Sequence, residues 1–541
     1  MESHCLSFRD VPHTTKIFST FLEDFKRVSS YFGHPPTESG VTAAAGDVRL
    51  DPAIRRGVVE VLREQNRAFG ADAATTRNLD RLAAGAVAIV AGQQVGILSG
   101  PAFSFYKALS AVCWADEISR RGIEAVPIFW LATEDHDIAE VNHSYWKTRG
   151  GLARYDLPAA DHDTGHRVGE VTLGRTIHDI VVKAAVTLEG PSADDVARAL
   201  RESYAPDETY GSAFGKLMAR LFAGRGIIFI DPLDARLHRF AASVYRRALD
   251  EAAPLRDALL ARSKELERAG FHAQVKVTRS TTLLFYNVDG QRLPLRSRNG
   301  AFVAGKHSFT PADLRSAIDR TPEAFTANVL LRPVVEDTIL PTAAYIGGPA
   351  EVAYMAQAQL VYKKLLGRMP AILSRESFTL VEPPLARLLK KYDLEVRDVF
   401  GGRQRLRTKM EQKSLPRHLA RRFESGEKAL RKLLEAYRKP LQRLDRTLTG
   451  ALDLSERKML YQFLKLKGKS GRAEGLRTGV LDRHERLLLN SLYPQHGLQE
   501  RSLCFLPFLA AFGPELLDNL ARFCGPNAAS QHAPQHHILF L

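Results

Sequence analysis

The sequence predicts an α/β protein with a doubly wound parallel sheet, followed by a charged helical region. Two observations predict the sheet. Short, wholly apolar segments recur along the first 380 residues, and glycine-rich or acidic turns follow them before helical patterns begin. A third observation, an apolar seven-residue repeat in a Lys/Arg-rich region, predicts the helices. We therefore expect a core over residues 1–380 and a helical region with a tail over residues 381–541.

The composition is that of an ordinary globular protein, with 45% hydrophobic and 25% charged residues among 541. No apolar stretch reaches the roughly 18–20 residues that a bilayer span needs, and no export signal is visible, so we expect a cytoplasmic protein. The four cysteines form no CxxC pair, which argues against a zinc site or a disulfide framework. The net charge of +15 favours an anionic partner, but solvated helices at residues 390–486 explain many of the basic residues better.

The first strand–helix–strand unit lies at residues 84–133, after a mainly helical segment with a loop at residues 33–46. Residues 84–92 form an apolar run typical of a strand buried on both faces, and the glycine-punctuated turn 92–100 follows. Pro101 suits the first position of a helix that continues to Gly122. A second apolar run, residues 125–133, ends in an acidic sequence. Such units build parallel sheets.

The same pattern returns later in the chain. Strands are expected at residues 226–231, 341–346 and 369–374, with helices at 213–222 and 350–366. Two segments, residues 144–206 and 274–309, differ in pattern and are interpreted as insertions into the core. The second alternates like hairpins around Asp289 and Gly290.

Apolar side chains at heptad spacing predict a helical hairpin or a dimeric coiled coil in the C-terminal region. Pro440 falls within this repeat, so the helix is expected to kink or break there. Asp453 and Ser455 are expected to cap a second helix. The repeat comprises Phe423, Leu430, Tyr437 and Leu444, with Leu434, Leu441 and Leu448.

Ligands of open α/β sheets bind beyond the carboxyl ends of the strands, where four of the predicted turns fall. The turn at residues 92–100 leads into a helix N-terminus, which favours an anion, and Lys107 follows in that helix. A glycine-rich turn that only packs against the sheet is the alternative. After the strand at 341–346, Gly347, Gly348 and Glu351 repeat this arrangement. Glu351 either complements the helix dipole or holds a substrate ammonium or hydroxyl group.

Residues 134–137, Glu-Asp-His-Asp, place ionisable groups directly after a buried strand. Their desolvation costs free energy unless a partner or ligand offsets it. His136, flanked by carboxylates, suits a general base. On a helix, His136, Glu140 and His143 would share a face that suits a metal ion, but a capped helix start is the simpler reading and we expect no metal. Arg332 either grips a carboxylate or phosphate or forms an internal ion pair.

Several long and unusual blocks resemble the bacillithiol cysteine ligase family, BshC, along essentially the whole chain. They are AGQQVGILSGPAFSFYKA (91–108), PIFWLATEDHDIAEVNH (127–143), GFHAQV (270–275), NVLLRPVVEDTILPTAAYIGGPAEVAYMAQ (328–357) and LQERSL (498–503). Ala91 stands where threonine is usual, and Glu336 where glutamine is usual. The resemblance implies a nucleotidyltransferase-like Rossmann core with inserted connecting segments and a C-terminal coiled coil that forms a homodimer.

The resemblance also implies a reaction, in which L-cysteine is joined to glucosaminyl-malate in the last step of bacillithiol biosynthesis. It leaves open whether ATP or another activated donor is used. The expected catalytic residues are Glu134, Asp135 and His136, with His136 as the base and Asp135 orienting it. The residues expected to bind substrate or nucleotide are Gly92, Gln93, Gln94, Gly96, Ser99, Gly100, Lys107, Asn142, Arg332, Gly347, Gly348, Glu351 and Tyr354.

Two other classes of function are compatible with the residues. A synthetase-like protein could bind tRNA through its basic helical arm, and its affinity would then fall steeply with salt. A metal-dependent hydrolase could use His136, Glu140 and His143. The resemblance favours small-molecule substrates over both, and neither a nucleic-acid nor a membrane partner is expected.

Overall fold

A computed structural model describes residues 2–158, 165–526 and 535–541, with the backbone alone at residues 417 and 475–478. The strands are β1 (Glu2–Leu6), β2 (Val87–Gln93), β3 (Ala125–Leu131), β4 (His143–Thr148), β5 (Gly151–Asp156), β6 (Ile228–Ile230), β7 (Thr281–Val288), β8 (Gln291–Arg298), β9 (Ala301–Ala304), β10 (His307–Phe309), β11 (Phe325–Ala327), β12 (Thr342–Gly347), β13 (Ala371–Ser374), β14 (Ser377–Val381) and β15 (His536–Phe540).

The helices are α1 (Lys16–Glu23), α2 (Glu38–Gly46), α3 (Pro52–Phe69), α4 (Ala73–Ala84), α5 (Phe103–Arg120), α6 (Ile138–Val141), α7 (Thr176–Ala185), α8 (Ala193–Ser203), α9 (Tyr210–Leu221), α10 (Ala235–Asp250), α11 (Ala252–Arg268), α12 (Pro311–Arg320), α13 (Arg332–Ile339), α14 (Pro349–Leu365), α15 (Pro383–Tyr392), α16 (Val396–Phe400), α17 (Arg403–Lys413), α18 (Arg417–Leu444), α19 (Leu448–Thr478), α20 (Val480–Leu492), α21 (Gln499–Ser502), α22 (Leu506–Phe512) and α23 (Glu515–Ala521). Within the described ranges, every helix is too short or too polar to cross a membrane.

The predicted Rossmann-like parallel sheet is confirmed, with the strand order β13–β12–β2–β3–β6. Alternate residues of its strands face two separate hydrophobic cores. Val90 and Ile128 belong to one core, and Ile89 and Phe129 belong to the other. The chain runs from β2 to β3 and β6 on one side and later adds β12 and β13 on the other. The strand order therefore reverses between β2 and β12, where such sheets bind ligands.

The loop predicted at residues 33–46 is wrong over its second half, where α2 forms. Thr37 caps this helix, because its hydroxyl accepts a hydrogen bond from the Gly40 backbone N–H at 3.2 Å. Val41 and Ala44 are buried against the sheet and its neighbouring helix. The helix carries glycines at its start and end, and its short alanine run shows no amphipathic period, so its sequence resembles a loop.

The second predicted insertion forms an antiparallel sheet with the order β10–β9–β8–β7–β11. The hairpin turn falls at Asp289 and Gly290 as predicted, and both residues have positive φ, 53° and 79°. The last strand, β11, lies outside the predicted range and completes the sheet. Residues 144–206 contain the β4–β5 hairpin and two helices, α7 and α8.

The heptad region forms an antiparallel hairpin of α18 and α19. The rings of Phe423 and Phe463 lie 5.3 Å apart, and Arg438 pairs with Asp453 at 2.9 Å near the other end. The heptads therefore pair at least within one chain. The heptad residues do not all pack in the hairpin interface. Phe423 and Leu434 are buried there, whereas Tyr437 is 53% exposed.

The helix α18 does not break at Pro440, which was one of the two alternatives predicted there, but continues to Leu444. Proline lacks the backbone N–H that would bond to the Ala436 carbonyl, so α18 accommodates one missing hydrogen bond. The predicted caps of the second helix, Asp453 and Ser455, are wrong, because this helix begins upstream of them at Leu448. Asp445 stabilises the turn before it by accepting a hydrogen bond from the Thr447 backbone N–H at 2.7 Å.

The C-terminal strand ties the helical region back to the core. It pairs with β1 and β14 in a three-stranded sheet. His536 is fully buried there, and its ring nitrogens lie 2.8 Å from the hydroxyls of Ser377 and Thr379. The sequence QHAPQHH at residues 531–537 by itself indicates no more than adventitious metal binding. His536 and His537 are buried and have a structural role in this sheet, and residues 531–534 lie outside the described residues.

Glu376, beside this strand, is predicted to make stability depend on pH. Its side chain accepts a hydrogen bond from the Gly525 backbone N–H at 3.2 Å, and burial raises its pKa from 4.5 to about 8. The folded state therefore binds this proton more tightly than the unfolded chain does. The free energy of unfolding should fall as the pH rises from about 4.5 to about 8.

Glu376→Gln should remove this contribution, because an amide keeps the acceptor oxygen and does not ionise. The melting temperature of the variant relative to wild type should rise across that pH range, as measured by thermal unfolding. Glu60→Gln, which changes an exposed carboxylate, is the matched control. Parallel curves for wild type and Glu376→Gln would contradict the prediction.

Candidate active site

A cavity of about 730 Å³ opens at the carboxyl edge of the parallel sheet, where the strand order reverses. The turns after β2, β3, β12 and β13 form one side, and the hairpin sheet forms the other. The structure brings together residues from three of the four turns predicted at strand ends, those at 92–100, 134–137 and 347–349. The fourth predicted turn, at residues 231–232, does not line this cavity. The predicted site residues on its wall are Gly92, Gln93, Gln94, Lys107, Glu134, Asp135, His136, Arg332, Gly348, Glu351 and Tyr354.

Other predicted binding residues do not reach this cavity. Ser99 is fully buried, and its backbone N–H donates to the Tyr204 hydroxyl at 3.1 Å. The Gly100 N–H donates to the Ile97 carbonyl at 3.0 Å. These groups are engaged within the fold, so this end of the turn fits the packing alternative better than an anion cradle. Asn142 and Gly347 also lie off the wall, and Gly96 lines an adjoining cavity.

Glu351 organises the side of the cavity next to β12. It accepts hydrogen bonds from the Gly348 N–H and the Tyr345 hydroxyl, each at 2.8 Å, and pairs with Lys107 at 2.6 Å. Lys107 also donates to the carbonyl of Gly92 at 2.7 Å. Burial lowers the pKa of Lys107, while Glu351 opposes this shift. The lysine charge is therefore neutralised inside the protein.

Arg332 is likewise committed to protein partners. Its guanidinium donates to the hydroxyls of Tyr354 at 2.9 Å and Tyr345 at 3.1 Å. It also pairs with the fully buried Glu336 at 3.3 Å. An internal ion pair, the second of the two sequence-based readings, describes this geometry.

Arg292, on β8, is a site residue that the sequence reasoning missed. It is only 8% exposed and stacks over Phe285 at 3.8 Å. Its guanidinium donates to Thr326 Oγ1 at 2.8 Å and contacts His136 Nδ1 at 2.9 Å. A guanidinium offers no acceptor, so Nδ1 must accept this hydrogen bond. The neutral His136 ring therefore carries its proton on Nε2.

Asp135 stabilises the turn after β3. It accepts hydrogen bonds from the Gln94 side chain at 2.8 Å and from the His136 backbone N–H at 2.7 Å. Burial raises its pKa, but the His136 ring, followed by these two hydrogen bonds and the charge of Arg292, outweighs burial and holds the pKa of Asp135 well below its usual range. Its carboxylate lies 3.5 Å from His136 Nδ1, farther than the Arg292 guanidinium. Arg292 therefore has the closer contact with the imidazole.

Glu134 is buried on the cavity wall and titrates near neutral pH. Burial raises its pKa to about 7, against the opposing charges of Arg292 and Arg167. Its Oε1 faces His238 Nε2 at 3.4 Å and has no hydrogen-bond partner among the described residues. The other ring nitrogen of His238 lies 3.1 Å from the Tyr245 hydroxyl. Burial lowers the pKa of His238 to about 4, so this ring is neutral when Glu134 titrates.

Two further arginines line the cavity and were also missed. Arg375 follows β13, donates to Glu500 at 2.6 Å and lies over the Phe103 ring at 5.4 Å. Arg501 comes from α21. Both had a sequence signal. Arg375 directly follows a predicted strand, and Arg501 lies in the LQERSL block.

The metal arrangement that the sequence left open does not form. The helix α6 has only four residues and His143 begins β4, so His136, Glu140 and His143 do not share a helical face. Within the described part of the chain, no group of three or more His, Cys, Asp or Glu side chains is arranged to hold a metal ion.

Comparison with known proteins agrees with this architecture. The family model described as the N-terminal Rossmann-like domain of bacillithiol biosynthesis BshC matches residues 1–376. The model of its C-terminal coiled-coil domain matches residues 378–541.

Curated proteins that carry the name "Putative cysteine ligase BshC" are similar over nearly the whole chain. The protein from Koribacter versatilis is 40% identical over 99% of both chains. The protein from Solibacter usitatus is 37% identical over 95% of this chain and 96% of its own. The chain therefore belongs to the BshC family of bacillithiol biosynthesis, whose curated members are named as ligase enzymes.

Proposed function

We propose that this protein joins the carboxyl group of L-cysteine to the amine of glucosaminyl-malate, as the last step of bacillithiol biosynthesis. Family membership supports the cysteine ligase class. The main structural support for the reaction is Glu134, a buried carboxyl group on the cavity wall whose pKa burial raises to about 7. An amine loses a proton as it becomes an amide, and a proton acceptor works best with a pKa near the working pH.

Amide formation from a carboxylate requires prior activation. We propose ATP as the co-substrate, giving a cysteinyl adenylate with release of pyrophosphate. The acceptor nitrogen then attacks the acyl carbon, and the bond from that carbon to the phosphate oxygen breaks with AMP leaving. The proton from the nitrogen passes to Glu134. Guanidinium groups on the cavity wall would stabilise the negative charge on the phosphate oxygens of the adenylate and of the departing AMP.

His136 has a donor role in this scheme. Because Arg292 occupies Nδ1, the Nε2–H is the group available to a ligand. A hydrogen bond from Nε2 to the acyl oxygen would stabilise the negative charge that develops there during attack. This role replaces the base function expected from the sequence, and Glu134 takes that function.

The test is an endpoint assay read by mass spectrometry. Purified protein is mixed with L-cysteine and glucosaminyl-malate, with ATP, without ATP, or with synthetic cysteinyl adenylate in its place. We expect the amide with ATP or the adenylate and none in the mixture that lacks both. L-serine in place of L-cysteine is the substrate control. Absence of amide from every mixture would contradict the proposed function.

We also propose that the α18–α19 hairpin forms a homodimer, as the family resemblance implies. Leu433, Tyr437 and Leu444 lie at spacings of four and seven on one face of α18. They are 55%, 53% and 78% exposed, so an apolar stripe remains uncovered. A second copy of the hairpin would bury it.

Replacing Leu433 and Tyr437 together with glutamate should therefore convert a dimer into a monomer. Light scattering coupled to size-exclusion chromatography measures the mass directly. Arg457→Glu, an exposed change elsewhere on the hairpin, is the control and should leave the mass unchanged. A monomeric wild-type protein, or a doubly substituted protein that remains dimeric, would contradict this prediction.

A further inference from the structure

A second cavity, of about 420 Å³, adjoins the first. Its outer wall comes from the start of β4 and from the segment around α21. Five residues line both cavities, so ligands bound in the two cavities would lie next to each other. The shared residues are Gln93, Gln94, Phe103, Glu140 and Arg501.

Most of the lysine and arginine side chains on the walls of the two cavities already interact with acceptor groups of the protein. Lys107 pairs with Glu351, Arg332 with Glu336, and Arg375 with Glu500. Arg292 is held by Thr326, Ala327 and His136. These four guanidinium and ammonium groups already have acceptors within the protein.

Arg501 is the exception on these walls. Its guanidinium donates no hydrogen bond to any residue in the described ranges, although the charges of Glu500 and Glu351 partly offset its own. Burial and the neighbouring Arg375 both lower the pKa of Arg501. The Arg501 side chain is nevertheless exposed to solvent, so it can reach a ligand in the cavities that it lines. An anion bound there would offset the repulsion between Arg501 and Arg375. A planar guanidinium binds a carboxylate through two parallel hydrogen bonds.

The rest of the second cavity suits hydroxyl groups. Its wall carries hydrogen-bonding side chains, and the Tyr145 hydroxyl and the Gln495 amide have no partner in the described part of the chain. Gln495 and the following His496 both have left-handed backbone, with φ of 53° and 58°. Such conformations in residues other than glycine are strained and concentrate at functional sites. The polar residues are His143, Ser144, Tyr145, Gln495 and Ser502.

We propose that the second cavity binds a hydroxylated carboxylate, and that Arg501 binds its carboxylate group. If the proposed function holds, this ligand is the malyl end of the acceptor substrate, whose amine then reaches the first cavity. That identification rests on the proposed function. The carboxylate site itself rests on the uncommitted arginine and the cavity it lines.

L-malate is the probe, and its binding to the full chain is measured by isothermal titration calorimetry. Arg501→Met should weaken binding about tenfold or more, because it removes a charge-assisted pair of hydrogen bonds. Arg501→Lys should restore part of the affinity, because it keeps the charge and loses the planar geometry. Arg320→Met, which lines neither cavity, should bind as wild type does.

Circular dichroism and thermal unfolding establish that each variant is folded, and Arg501→Lys provides a second variant if methionine disturbs the fold. L-malate binding that is equal in Arg501→Met and wild type would overturn the proposal. A wild-type protein that binds neither L-malate nor glucosaminyl-malate would also overturn it. Binding that depends on Arg501 in a protein that makes no amide would support this site and refute the proposed function, so the two failures are distinguishable.

Discussion

Replacing Glu134 with glutamine is expected to lower kcat by about 10²–10⁴-fold, the usual contribution of a general acid or base, while the protein stays folded. Glutamine keeps the shape of the side chain but cannot accept the proton that leaves the amine. Because burial places the pKa of Glu134 at about 7, kcat/KM of the wild type should rise with pH as this group loses its proton. Glu134→Gln should lack that rise.

Glu140→Gln provides the matched comparison. Glu140 is a carboxylate on the same wall that accepts a hydrogen bond from Gln94. The absolute kcat/KM of Glu140→Gln can differ from that of the wild type, but its kcat/KM should still increase with pH near pH 7. If Glu134→Gln retained the same increase, another group would be the proton acceptor.

Replacing His136 with alanine is expected to lower kcat by about 10²–10³-fold, with a much smaller change in KM. The loss falls on kcat because the hydrogen bond from Nε2 strengthens as charge develops on the acyl oxygen. Steady-state kinetics with saturating co-substrates separate the two constants.

His136→Gln tests whether a hydrogen-bond donor at this position is sufficient, because the glutamine amide can still donate a hydrogen bond. It should recover part of the activity that alanine loses. Equal turnover in wild type and His136→Ala would rule out a role for this ring in the reaction. A rise in KM with unchanged kcat would assign His136 to substrate binding alone.

The sequence predicted the position of the site because strand ends are visible as patterns. Glu134 and Glu351 each follow an apolar run that ends in a polar turn, and the carboxyl ends of parallel strands meet at one edge. It could not predict which charges neutralise one another. Lys107 and Glu351 are 2.6 Å apart in space but far apart in the chain, and only the fold reveals their pairing.

Arg292 had no sequence signal at all. It lies in an alternating hairpin, where a charged side chain is expected to face solvent. The packing of the hairpin sheet over the carboxyl edge turns it toward His136 and fixes the tautomer of that ring. The prediction that His136 is a base did not take this contact into account. The prediction of a loop where α2 forms was wrong because capping and burial outweighed residue propensity.

The most direct measurement uses L-cysteine in which both carboxyl oxygens are the heavy oxygen isotope, with glucosaminyl-malate, ATP and the wild-type protein. We predict an amide product that retains one heavy oxygen and AMP that gains the other, both read by mass spectrometry. This result would establish amide formation through an adenylate in a single experiment. Unlabelled nucleotide products and the absence of any labelled amide would contradict it.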